Sequence, residues 1–83
     1  MRLKNSKEIQ AFQEAIADCQ GEVWLETPMG DKYNLKSLYC HYLAIDKLLE
    51  DEGNELELFC QYKEDELNFF RFFEEYPDAL WEN

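Results

Sequence analysis

The stretch from residue 22 to residue 49 most restricts what this chain can fold into, because the spacing of its apolar residues changes there once. Val23, Leu25 and Thr27 alternate with Trp24 and Glu26, which predicts a half-buried strand. Pro28 suits the second position of a tight turn, and Gly30 can take the positive φ that a turn's exit often needs. Tyr33 and Leu35 then resume the alternation. From Ser37 the period becomes 3.6, with Leu38, Tyr42, Ile45 and Leu49 on one helical face. The stretch therefore reads strand, turn, strand, helix. Ser37 stands where the second strand becomes the helix, and its hydroxyl is placed to cap it.

The flanks extend this pattern. Residues 1–4 read as a short edge strand with Leu3 inward. Asn5 is a helix cap, and Glu8 three residues later completes a capping box. Ile9, Phe12, Ile16 and Cys19 form the apolar stripe of that helix, Ala15 fills beside it, and Gly21 reads as its left-handed stop. After a loop ending near Gly53, residues 55–62 alternate again. Leu56, Leu58, Cys60 and Tyr62 take one side; Glu55, Glu57, Phe59 and Gln61 take the other. Glu64, Asp65 and Glu66 open a last helix where its dipole favours acids. Leu67, Phe69, Phe70, Phe72, Phe73 and Tyr76 give that helix a wide aromatic face, and Pro77 ends it. Leu80 and Trp81 are expected to dock the tail. The expected architecture is α+β in the order β-α-β-β-α-β-α: a four-stranded antiparallel sheet, three helices on one face, one domain spanning 1–83.

Charge narrows the function classes. Nineteen acids against eight bases leave a formal charge of −11. Phosphate-backbone binding needs clustered Lys and Arg, so no nucleic-acid partner is expected. Anionic membrane surfaces are disfavoured for the same reason. No apolar run approaches the roughly 20 residues that span a bilayer. With no secretory leader read at the N-terminus, a cytoplasmic location is expected. Partners should be proteins with a basic or apolar surface. Cys19, Cys40 and Cys60 are odd in number and widely spaced, which predicts free thiols and no zinc site. The acids at 50–57 lack the alternating oxygen ligands of a calcium loop, so no metal or cofactor is expected.

The segment Lys32-Tyr33-Asn34-Leu35-Lys36-Ser37-Leu38 resembles the second hairpin strand and regulatory-serine segment of Gram-positive HPr proteins, small phosphocarriers of the bacterial phosphotransferase system. The Gly30 turn, the strand at 55–61 and the acidic start of the last helix fall in matching order, so the likeness covers roughly residues 5–73. The resemblance implies an open-faced β-sandwich of HPr type, with Ser37 as a candidate site of regulatory phosphorylation. The chain also departs from the family. HPr proteins carry a phosphorylatable histidine in a Gly-x-His-x-Arg-Pro context at the start of the first helix. Here that region reads Lys4-Asn5-Ser6-Lys7-Glu8. The single histidine, His41, lies a turn into the second helix, with no acid three or four residues away to orient its ring. The expected function is accordingly a non-enzymatic regulatory or interaction domain of HPr-like fold, without phosphohistidine transfer. Histidine-lacking relatives with purely regulatory roles form a known class. The alternative is a small acidic protein that engages a basic surface, such as a nucleic-acid-mimicking inhibitor. Trp24 and Phe59, on the non-core parity of their strands, are candidate contact residues, together with Lys36 and Tyr39 beside Ser37. As a cap, Ser37 predicts a cost of about 1 kcal/mol for Ser37→Ala.

Overall fold

The computed structural model of the protein describes residues 1–79. Its elements follow as α1 (Ser6–Asp18), β1 (Val23–Glu26), β2 (Lys32–Asn34), α2 (Leu38–Leu48), β3 (Glu57–Cys60) and α3 (Glu66–Glu75). Single 3-10 turns occupy Asp51–Glu55, Lys63–Asp65 and Pro77–Ala79. The sheet is antiparallel with order β2-β1-β3, so β1 is central. Leu80 and Trp81, expected to dock, lie outside the described residues.

The expected fourth strand does not form. Residues 1–4 belong to no strand, and their N–H groups go elsewhere: Leu3 donates to the Leu48 carbonyl (2.8 Å) and Arg2 to the Ala79 carbonyl (2.7 Å). The last carbonyls of a helix lack intrahelical donors, and Leu48 ends α2. The segment answers that need instead of joining the sheet. Leu3 does point inward as expected, and it is fully buried.

The hairpin forms as expected. Gly30 N–H donates to the Thr27 carbonyl, closing a turn over Pro28 and Met29, and Thr27 N–H donates back to the Asp31 carbonyl. Gly30 sits at φ 94°, the left-handed position that follows such a turn. Helix α1 begins at the expected cap, with Asn5 Oδ1 accepting from Glu8 N–H at 2.9 Å. The returning bond is shifted by one residue: buried Glu8 accepts through Oε1 from Lys4 N–H at 2.7 Å. The end of α1 departs further. Cys19 is extended at the C-cap, and Gly21 does not have positive φ. A Cβ at 21 would lie 2.6 Å from the Tyr62 ring, so a larger residue there requires that exposed side chain to move.

One core joins the sheet and the helices. Val23 and Leu25 of β1 pack with Phe12 and Ile16 of α1, Ala44, Ile45 and Leu48 of α2, and Phe69 and Phe72 of α3. Phe12 lies between the two rings of α3, 5.8 Å from Phe69 and 5.6 Å from Phe72. The aromatic face of α3 is narrower than expected, since Leu67 and Phe70 are exposed. Helix α2 departs most. Its expected stripe of Leu38, Tyr42, Ile45 and Leu49 buries only Ile45, and the buried side is Ala44, Ile45 and Leu48. With apolar residues nearly all round the helix, periodicity cannot choose the inward face. The neighbouring elements choose it.

Candidate functional site

Ser37 occupies the N-cap position of α2 at φ −84°, ψ 126°, yet its hydroxyl makes no capping bond. This overturns the expected cap. The chain enters α2 through an Asx turn instead. Asn34 Oδ1 accepts from Lys36 N–H (2.9 Å), and the Asn34 carbonyl accepts from Ser37 N–H (3.1 Å). The Ser37 carbonyl then accepts from His41 N–H at 2.7 Å, the first turn of the helix. The side chain itself is half-buried.

Lys36 has a structural task. Its ammonium donates to the Cys19 carbonyl at 2.6 Å, supplying a cation where the dipole of α1 is negative. His41 is similarly engaged. Its Nδ1 lies 3.0 Å from the Leu35 carbonyl, which only accepts. Its Nε2 lies 3.1 Å from the Gln13 amide nitrogen, which only donates. As placed, the two contacts match the tautomer with the proton on Nδ1. Both nitrogens are occupied in tying α2 to α1 and to the end of β2, and neither partner is a carboxylate. That is the geometry of a positioned structural histidine.

Beyond Ser37, α2 presents large apolar side chains to solvent. Leu38 is 71% exposed, Tyr39 75% and Tyr42 58%, and Leu43 and Leu49 continue the surface. A shallow groove between α1 and α2 adjoins them, lined by Gln13, Ile16, Ala17 and Leu35. Tyr39, a contact residue by sequence, therefore belongs to a broader apolar face that includes Leu38, Tyr42 and Leu49, which periodicity assigns to the core.

Trp24 and Phe59 lie on the opposite side of the sheet from Val23 and Leu25. They are register partners on β1 and β3, with stacked rings 5.9 Å apart. Lys32 sits over the Trp24 ring at 5.7 Å and lies 3.6 Å from Glu26. Both aromatics are half-buried, and Trp24 Nε1 is enclosed with no acceptor among the described residues. The candidate contact residues thus divide into two surfaces: Lys36, Ser37 and Tyr39 at the start of α2, and Trp24 with Phe59 on the outer sheet face.

Sequence pattern does not single out Asp65. It stands at the N-cap of α3 but does not cap that helix. Its buried carboxylate instead accepts from Gln20 N–H (3.0 Å) and Gly21 N–H (2.9 Å), anchoring the chain between α1 and β1. Those two bonds hold its pKa below the ordinary aspartate value. Three consecutive acids at a helix start carry no sign of which one turns inward. All three cysteines are free; Cys19 is buried and the other two half-buried. Burial pushes the Cys60 thiol up to about 12, which favours its protonated form at neutral pH. Among the described residues no group of three or more His, Cys, Asp or Glu could hold a metal ion, and no helix is long and apolar enough to cross a membrane. Comparison with protein-family models, with curated proteins and with solved structures found no match.

Proposed function

We propose that this protein is a cytoplasmic, non-enzymatic regulatory or protein-interaction domain of HPr-like architecture, with its helices on one face of the sheet, and that it carries no phosphate on histidine. The observation that carries this reading is the solvent-facing apolar surface of α2, Leu38, Tyr39 and Tyr42, which opens at Ser37. Clustered apolar surface of this kind marks a contact site for another protein. The engagement of both ring nitrogens of His41 supports the absence of phosphohistidine transfer.

In this reading Ser37 is the switch. Its hydroxyl is uncommitted to capping, and a phosphate there would place about −1.5 to −2 charges at the positive end of α2, beside the docking residues. The charge of −11 supports a second reading, an acidic inhibitor that occupies a nucleic-acid groove of a basic protein. The test is co-purification with the wild-type chain and with Leu38→Asp and Tyr42→Asp. The first reading expects a partner that both variants lose and that Ser37 phosphorylation by an HPr kinase modulates. Recovery of a nuclease or repressor, unaffected by either variant and released by DNA, would replace it with the second. Acid-labile phosphate on His41 after exposure to Enzyme I and phosphoenolpyruvate would overturn the histidine-independent reading.

A further inference from the structure

With the order β2-β1-β3, β3 has one edge that pairs with no strand among the described residues. Residues 1–4, which the sequence pattern places in the sheet, bond to Leu48 and Ala79 instead. The orientation of the free edge follows from the ladder. Gln61 N–H donates to the Glu22 carbonyl, so alternate residues Phe59 and Glu57 direct their backbone groups toward β1. Leu58 and Cys60 therefore direct theirs outward. Behind this edge, between β3 and α3, lies an open groove of about 370 Å³, lined by Leu56, Leu58, Cys60, Phe69, Phe70 and Phe73. Phe70, in its wall, is 56% exposed.

We propose that this edge and groove form a docking site for an extended segment of a partner protein in which apolar and basic residues alternate. The segment adds to the sheet as a fourth strand alongside β3. Its backbone pairs with the outward groups of Leu58 and Cys60. Its inward side chains enter the groove, and its outward ones meet the acids beside it. Charge decides the occupant. Glu57 and Glu66 line the site with Met1, whose ammonium is held by the Gly53 carbonyl, and the molecule carries −11. A second copy of the chain would set these carboxylates against like charge, which blocks edge-to-edge pairing of two protomers. A lysine or arginine at alternate positions is attracted by the same groups. The site is separate from the α2 surface and does not depend on it.

The probes are three synthetic peptides: one alternating lysine and valine, one with serine for valine, and one with glutamate for lysine. Binding is followed through the backbone amide resonances of the full chain and their hydrogen exchange. The lysine–valine peptide is expected to shift and protect the amides of Leu58 and Cys60, while the other two peptides leave them unchanged. Phe70→Asp, a surface change, should weaken binding at least about tenfold. Leu38→Asp on α2 should leave it unaltered, which separates this site from the α2 surface. Equal binding of the lysine–serine peptide would reduce the effect to net charge and overturn the proposal. So would shifts confined to other residues, the absence of binding at millimolar peptide, or full protection of Leu58 and Cys60 before any peptide is added. Protection that grows with protein concentration would assign the edge to a second copy instead.

Discussion

Of the three glycines, Gly53 is the one closed in by backbone atoms. A Cβ there would stand 2.6 Å from the Met1 carbonyl oxygen and 2.9 Å from the Leu48 Cα, and both are backbone atoms. The Met1 amino group also donates to the Gly53 carbonyl at 2.8 Å. Gly53→Ala must displace one of these segments and should destabilise the protein by about 1–3 kcal/mol in urea unfolding, the usual penalty of overpacking. Wild-type stability would mean that residues 1–3 do not pack as described. Ser37 leads to the opposite expectation. With no capping bond to lose, Ser37→Ala should stay within about 0.5 kcal/mol of wild type in the same measurement. A full loss of about 1 kcal/mol would restore the capping role. Asp65 links stability to pH. Its folded pKa lies below 3.8, so its carboxylate stabilises the folded chain fully above that value, and the contribution fades as pH falls through the depressed one. Asp65→Asn should therefore unfold earlier than wild type at neutral pH, with the gap closing in acid. A gap independent of pH would show that the charge is not what the Gln20 and Gly21 amides hold.

Helix α2 has two apolar faces, and only packing distinguishes them. Leu48 is fully buried in the core, while Leu38 on the same helix is 71% exposed. Leu48→Ala should cost about 2–5 kcal/mol, the range for deleting a buried leucine side chain. Leu38→Ala should cost no more than about 0.5 kcal/mol. Calorimetric melting of the two variants compares them directly, and similar losses would refute this choice of inward face. Elements with a one-sided pattern fold as their pattern predicts. The stripe of α1 is apolar against an otherwise polar helix: Phe12, Ala15, Ile16 and Cys19 are buried, and Ile9 is half-buried against the same core. β1 alternates cleanly, with Val23 and Leu25 inward and Trp24 outward.

Across the whole molecule, the excess of acids acts against the compact state that the apolar core holds together. A compact chain at −11 repels itself, and salt screens repulsion between exposed carboxylates. Raising sodium chloride from low concentration to ~0.5 M should increase Tm by a few degrees, since ~1 kcal/mol corresponds to about 4–8 °C in a domain of this size. A falling Tm would mean that attractive pairs outweigh the repulsion. What the sequence determined by itself lies in local chemistry. The hairpin at Pro28 and Gly30, the Asn5 cap, the end of α3 at Pro77 and the inward residues of α1 and β1 each depend on a few neighbouring residues and one period. Tertiary structure decided whatever had two local solutions. Residues 1–4 could pair with a strand or serve the carbonyls of Leu48 and Ala79, and the helix end held the unmet acceptor. Asp65 could cap α3 or turn toward Gln20 and Gly21, and its carboxylate went to the two amides between α1 and β1. The face of α2 was chosen in the same way, because a helix that is apolar nearly all round buries whichever side its neighbours cover.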